Sequence, residues 1–257
     1  MSYTDPINFD FSEKVAVITG AASGIGRLCA ERFAEMGASI VLTDINQAGI
    51  DEVAAGIEAK GGKAIACACD IRNFEQILDV RAKAMEAFGR IDFLINSAGG
   101  ASGRINKVKQ AFRDWPIEAL DWGIDVNLKG PMYITRAFIG DMIDGGRGGV
   151  IIYLGSAIGS RGGNGGAADY STSKAGLMFG MTKSMAQYGA PYNIRCNAVS
   201  PGPVLTRDAM ANTPTLLGRA AEPIEIVNLI TYLCSDQASF ITGSNYAIDA
   251  GRACQHK

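Results

Sequence analysis

The 257-residue chain has 24 basic and 26 acidic side chains, a formal net charge of −2, and 47% hydrophobic residues. That composition supplies one sizeable core and no basic surplus, which argues against nucleic acid or an anionic membrane surface as partner and for a small-molecule ligand. The single histidine, His256, excludes a histidine-rich zinc site, so no metal is expected, and tyrosine, lysine or a carboxylate is left as the acid/base group.

The chain opens without a cationic start and apolar run, so no secretory signal is expected, and no segment approaches the length of a membrane span. Six scattered cysteines, with no Cys-x-x-Cys pair, predict free thiols and a cytoplasmic location.

Residues 14–19 read as a short buried strand, because continuous β-branched and apolar residues suit a strand covered on both faces. The strand runs into Gly20-Ala21-Ala22-Ser23-Gly24-Ile25-Gly26, after which Ile25, Leu28, Cys29, Phe33 and Met36 recur at helical spacing up to Gly37. Strand, glycine turn and helix place bare backbone N–H groups against a phosphate, although the same turn also serves simply to join a strand to a helix. A second strand, 39–43, ends on Asp44, about twenty residues past the turn. A carboxylate there accepts from the ribose hydroxyls of NAD and repels the 2′-phosphate of NADP; it also suits an N-cap of the next helix. Arg27, just after the turn, would favour that phosphate instead.

A helix over 47–60, a strand over 64–69 ending at Asp70, a helix over 74–88 and a strand over 93–95 leading to Asn96-Ser97-Ala98-Gly99-Gly100 continue the alternation. This is the mark of an α/β fold with a parallel sheet covered on both faces, whose ligand sits at the carboxyl ends of the strands. Asp70 and Asn96 both fall there. Residues 101–115 break the pattern with Arg104, Lys107, Lys109 and Arg113, a solvated face or a binding surface. A helix is expected over 119–142 with Asn127 inside it, where propensity disfavours asparagine. The fifth strand, 148–154, ends in Gly155-Ser156-Ala157-Ile158-Gly159, and a glycine-rich loop carrying Arg161 and Asn164 follows. A sixth strand, 193–198, stops before Pro201-Gly202-Pro203. Residues 204–217 form a short lid, Pro223 opens another helix, and a last strand spans 245–248.

Between the fifth and sixth strands lies Tyr170-Ser171-Thr172-Ser173-Lys174. Positions i and i+4 share one face of a helix, so the Lys174 ammonium sits near the Tyr170 phenol and favours its ionised form. That makes Tyr170 a proton shuttle. Taken alone, the pair also reads as an aromatic ring under a snorkelling lysine.

Together, the turn from Thr19 to Gly26, Asp70, Asn96-Ser97-Ala98-Gly99, Asn127, Ser156, Tyr170 through Lys174, Asn197 and Pro201-Gly202 resemble, in order, the short-chain dehydrogenase/reductase family. The resemblance covers about 14–251, nearly the whole chain. It implies a single Rossmann-type doubly wound domain over 1–257 with about seven parallel strands, and NAD(P)-dependent interconversion of an alcohol and a carbonyl. Carried over, Tyr170 is the general acid/base and Ser156 holds the substrate oxygen. Lys174 binds the nicotinamide ribose and lowers the Tyr170 pKa, and Asn127 holds a water that relays the proton. The cofactor residues it implies are Gly20, Ser23, Gly24, Ile25, Gly26, Asp44, Asp70, Ile71, Asn96, Ala98, Gly99, Tyr170, Lys174, Pro201, Gly202, Val204 and Thr206. It also implies a homodimer or homotetramer. Ser97 departs from the family's usual asparagine, Ala250 from its usual glycine, and the loop from Ser156 to Tyr170 is slightly long.

Asp44 favours NAD(H) over NADP(H). Arg161 and Asn164, set among glycines, suit a polar substrate, so a sugar, polyol or small hydroxy acid is expected, bound by these two with Ser156 and Tyr170. Two alternatives remain open: a 3-oxoacyl thioester reductase whose basic 104–113 stretch meets an acidic carrier, and a catalytically silent dinucleotide-binding protein.

Overall fold

A computed structural model describes residues 9–163 and 165–254; residues 1–8, Asn164 and 255–257, His256 among them, lie outside it. The apolar runs form seven strands: β1 Val15–Thr19, β2 Ser39–Asp44, β3 Lys63–Ala68, β4 Phe93–Asn96, β5 Gly149–Leu154, β6 Ile194–Pro201 and β7 Asn245–Ile248. All neighbours pair in parallel, in the order β3-β2-β1-β4-β5-β6-β7. Ten α-helical segments connect them among the described residues: α1 Gly24–Glu35, α2 Gln47–Glu58, α3 Phe74–Phe88, α4 Ser102–Ile105, α5 Ile117–Ile124, α6 Gly130–Asp144, α7 Ala157–Arg161, α8 Ala168–Ala175, α9 Thr182–Gly189 and α10 Pro223–Cys234.

The period of two along each strand sends alternate residues to opposite faces. Ala16, Ile18, Ile40 and Leu42 pack with Phe33 of α1, Ile50 of α2 and Ile230 of α10. Val15, Val17, Val41 and Leu94 pack on the other face with Ile77 of α3 and Phe138 of α6. Covering both faces is what allows continuous apolar strands. The architecture is Rossmann-type, as expected.

The chain reverses its direction of travel across the sheet at β1, which has β2 on one side and β4 on the other. Loops leaving such neighbours diverge, and ligand crevices form there. Here the two loops are tied at their base: the Ser97 and Ala98 N–H groups donate to Thr19 Oγ1 at 3.1 and 3.0 Å.

Several expected elements differ in form. The helix expected over 119–142 is interrupted by a π turn, Asp125–Lys129, between α5 and α6. A second π turn, Gly176–Met181, separates α8 from α9 directly after Lys174. The polar 101–115 stretch contains α4 and a 3-10 turn, Phe112–Asp114. Strand β6 continues to Pro201, which pairs with Ile248. Proline is tolerated at that last position because the following Gly202 N–H donates to the Ile248 carbonyl, at 3.0 Å.

Candidate active site

A cavity of about 590 Å³ opens over the carboxyl ends of the strands. Its wall gathers Gly20, Ser23, Gly24, Ile25, Gly26, Asp44, Asp70, Ile71, Ala98, Gly99, Ser156, Tyr170, Lys174, Pro201, Gly202, Val204 and Thr206. Residues spread over most of the chain thus converge, because parallel strands deliver every one of their following loops to the same edge.

One half of the cavity is built by backbone. The glycine turn requires its glycines: Gly20 has φ +70°, and a Cβ on it would lie 2.9 Å from the Ala98 backbone, while one on Gly26 would collide with the Gly20 carbonyl. Ser23 is the N-cap of α1 in extended conformation, yet its side chain makes no capping bond. The first amides of α1 therefore keep their donors for a ligand, and a helix N-terminus prefers an anion. At the end of β2 the Asp44 carboxylate accepts from the Ala22 N–H at 3.2 Å and the Asn46 N–H at 3.0 Å. It is not the N-cap of α2; Asn46 is, accepting from the Gly49 N–H. Arg27 is drawn away by Glu31 and Glu52, both at 2.9 Å, and does not line the cavity. Asp70 is held by Arg72, whose guanidinium keeps its carboxyl below the usual range. An open helix N-terminus, a cradle without Cβ atoms and a carboxylate at the end of β2 together fit a nicotinamide dinucleotide.

The other half is built from side chains. Ser156 leaves β5 in extended conformation and caps α7, its Oγ accepting from the Ile158 N–H at 3.4 Å. Helix α7 rests directly on α8 because Gly159 has no side chain: a Cβ there would lie 2.6 Å from Met178 Sδ and 2.9 Å from the Ala175 amide. That close approach brings the Ser156 hydroxyl to the Tyr170 side of the cavity wall. One turn further along α8, Lys174 is buried and its Nζ donates to the Leu154 carbonyl at 2.7 Å, 5.6 Å from the centre of the Tyr170 ring.

The electrostatics differ from the expectation that Lys174 lowers the Tyr170 pKa. Burial raises the phenol, opposed by the neighbouring Ser156 hydroxyl and then by the charges of Arg207 and Arg104. Lys174 itself is pushed down to about 8 by burial. An enclosed ammonium bonded to a single carbonyl has lost most of its hydration, which penalises its own charge. Two arginines on the cavity wall add to the cationic field on the phenol.

The Asn127 side chain is fully engaged by backbone groups. Both of its amide hydrogens are engaged by carbonyls, those of Gly123 and Gly100, each at 2.9 Å, and its Oδ1 accepts from the Gly100 N–H at 2.9 Å. Within the π turn, the side chain occupies the carbonyl four residues back and ties the helix to the loop after β4. Asn127 is thus a positioning residue for Gly99 and Gly100. Asn96 is buried behind the wall, with both amide atoms lacking a partner, and is not on the cavity surface. Arg161, expected at the substrate, lies outside the cavity beside Arg252, and Asn164 falls outside the described residues.

The model of the family described as enoyl-(acyl carrier protein) reductase matches residues 20–253. The 3-oxoacyl-acyl-carrier-protein reductase FabG of Thermotoga maritima is 36% identical over 249 residues, spanning 93% of this chain and 97% of that protein. The chain belongs to the short-chain dehydrogenase/reductase family. An NAD-dependent glycerol dehydrogenase of Listeria innocua is 37% identical, with 95% of each chain covered. An L-rhamnose 1-dehydrogenase (NAD(P)+) of Azotobacter vinelandii is 34% identical, covering 93% of this chain and 96% of its own. The crystal structure of a short-chain dehydrogenase/reductase from Mycobacterium marinum superposes with a TM-score of 0.88 at 35% identity, covering 96% of this chain and 98% of that one. As a member of this family the chain is an oxidoreductase that binds NAD(P).

Motif reasoning did not assign Arg104, Trp122, Arg207 and Met210 to the cavity they line. They come from segments without a local signature. Only the break in periodicity at 101–115 and the position of Arg207 next to Thr206 pointed toward two of them.

Proposed function

We propose that the enzyme interconverts a secondary alcohol and a ketone with NAD(H), on a small polar substrate, with Tyr170 as general acid/base. The observation that carries this reading is the meeting of the Tyr170 phenol, the Ser156 hydroxyl and Lys174 on the wall of the same cavity as the glycine turn. A nicotinamide dinucleotide held in this cavity would supply the hydride chemistry. Ser156 and Tyr170 hold the substrate oxygen between their hydroxyls. In oxidation the ionised Tyr170 takes the hydroxyl proton as hydride leaves the carbon; in reduction the neutral phenol returns it. Lys174, held on the Leu154 carbonyl, presents its remaining donors toward the nicotinamide ribose. The amides of Gly20 to Gly26 would hold the pyrophosphate.

The NAD preference rests on Asp44 at the end of β2 and on the capture of Arg27 by Glu31 and Glu52. A relative named as an NAD-dependent glycerol dehydrogenase supports it. Residues 204–217 act as a short cover of one NAD(P)-binding domain. All six cysteines are free, in keeping with a cytoplasmic enzyme. Exposed Ile117, Met132 and Phe179 on the α5–α6 and α8–α9 rods suit packing in a homodimer or homotetramer. Among the described residues no helix is long and apolar enough to cross a membrane.

A second reading, reduction of a 3-oxoacyl thioester, is favoured by the FabG relative and the family description. One assay separates the two. Reduced nicotinamide formation is followed over polyols, sugars, hydroxy acids, secondary alcohols and hydroxysteroids with NAD and with NADP, and its consumption over 3-oxoacyl thioesters with NADH and with NADPH. The proposal predicts turnover of a small polar alcohol, at least about tenfold better with NAD. Turnover confined to acyl thioesters or steroids, or a preference for NADPH, would contradict it.

A further inference from the structure

Two arginines from distant segments line the same cavity. Arg104 lies in α4, after β4, and Arg207 directly follows Thr206, after β6. The Arg104 guanidinium stands over Gly100: a Cβ built on that glycine would lie 3.1 Å from Arg104 Nη2. Gly100 is itself fixed by Asn127, so the loop beneath Arg104 is rigid.

Seven of the fourteen arginines have carboxylate partners among the described residues, and Arg104 and Arg207 are the two of the remainder that line this cavity. Among the described residues the Arg104 guanidinium has no carboxylate partner and donates no hydrogen bond, and the Arg207 guanidinium reaches only Met210 Sδ, at 3.6 Å. The two share the cavity wall with Tyr170, so the charge of each bears on the other and on the phenol. Like charges held together in a concave wall, without a counter-ion, raise the energy of the empty site and lower that of the site holding an anion. Guanidinium groups present planar forks that match carboxylate and phosphate oxygens.

We propose that Arg104 and Arg207 form a clamp for an anionic substituent of the substrate, a carboxylate or a phosphate carried near the reacting carbon. Hydroxy acids or phosphorylated polyols are then preferred over their neutral counterparts. The inference rests on the proposed use of the cavity for alcohol oxidation and names the substrate class within it. Thr206 adjoins the glycine turn, its Cγ2 lying 3.4 Å from a Cβ built on Gly24, so a contact from Arg207 to the nucleotide is the competing assignment.

The test uses matched probes with NAD: lactate against lactamide, and glycerol 3-phosphate against glycerol. Each is measured with wild type, Arg104→Met and Arg207→Met. Acetoacetate is also titrated calorimetrically into each protein saturated with NADH. The expected result is a kcat/KM about 10- to 100-fold higher for the anion of at least one pair, reduced toward unity in both variants mainly through KM. Taking the ratio within a pair cancels any effect of the variants on Tyr170, and the pair that responds tells carboxylate from phosphate. Acetoacetate binding weakened about tenfold or more in both variants supports a carboxylate clamp. Arginine-dependent acetoacetate binding without turnover of any probe would keep the clamp and defeat the oxidation reading. Neutral members turned over as well as anions, a ratio unmoved by both variants, or a weaker NADH affinity with the ratio intact would overturn the clamp and leave the oxidation reading standing. Neither turnover nor acetoacetate binding in wild type would overturn both.

Discussion

The two ends of the sheet treat charge in opposite ways. At the amino ends of the strands a cavity of about 270 Å³ is lined by Lys14, Asp92, Arg147 and Arg195 among others. Asp92, buried there, accepts from the Val15 N–H at 2.9 Å and from two Arg90 nitrogens at 2.8 and 2.6 Å, with Lys14 Nζ at 3.9 Å. Arg195 donates to the Ile241 and Ser235 carbonyls. At the carboxyl ends Lys174 bonds one carbonyl, and Arg104 and Arg207 have no carboxylate among the described residues. A buried charge without a partner is costly, and a fold that needs only stability removes it. Asp92 is satisfied within the fold, whereas Lys174, Arg104 and Arg207 are left open on the cavity wall, where a ligand completes them.

Breaking the satisfied end carries the largest expected effect. Asp92→Ala leaves Arg90 and the Val15 N–H without their acceptor and is expected to destabilise the fold by about 3–5 kcal/mol in urea unfolding, with the NAD preference unmoved. A loss below about 1 kcal/mol would show that the amino end is no anchor.

At the open end the sign reverses. Burial lowers Lys174 from its ordinary value to about 8, so its charge is a penalty on the folded state. The penalty is fully present below pH 8 and fades as pH rises toward the unfolded value of about 10.5. Lys174→Met is therefore expected to stabilise the protein on the order of 2 kcal/mol at pH 7, net of the lost bond to Leu154, while abolishing activity. The gain shrinks at pH 10. A variant less stable than wild type at pH 7 would mean that the ammonium is well compensated in the free enzyme.

The smallest effect comes from backbone strain at the same end. Ala250 follows β7 with φ +52°, a left-handed conformation in which its Cβ crowds the following carbonyl, and its carbonyl accepts from the Leu216 N–H at 2.9 Å. Ala250→Gly is expected to stabilise by about 1 kcal/mol and to leave kcat near wild type; a thermal midpoint that falls would remove strain from the account.

The same contrast governs what was legible in the sequence. Gly20 to Gly26, Asp44 and the apolar runs act through local rules, so strand, turn and helix followed from spacing, and the parallel sheet from their alternation. Ser156, Tyr170 and Lys174 could be named from their motif. Their electrostatics could not, because desolvation of Lys174 and the reach of Arg104 and Arg207 depend on packing between segments more than 30 residues apart in the chain. The π turn at Asn127 was likewise invisible to helical periodicity: what fixes it is a side chain bonded to the backbone of Gly100. Arg161 misled because a basic residue in a glycine-rich loop resembles a pocket group, whereas the short helix α7 places it beside Arg252.

The most direct measurement is the rate of NADH formation by Tyr170→Phe beside wild type, on whichever alcohol wild type oxidises best, with NADH affinity determined for both. The phenylalanine keeps the ring on the cavity wall and removes only the hydroxyl that faces Ser156. A fall in kcat of about 10²- to 10⁴-fold with NADH affinity unchanged is the predicted result. Retention of the rate within a factor of about three would contradict the assignment of proton transfer to Tyr170.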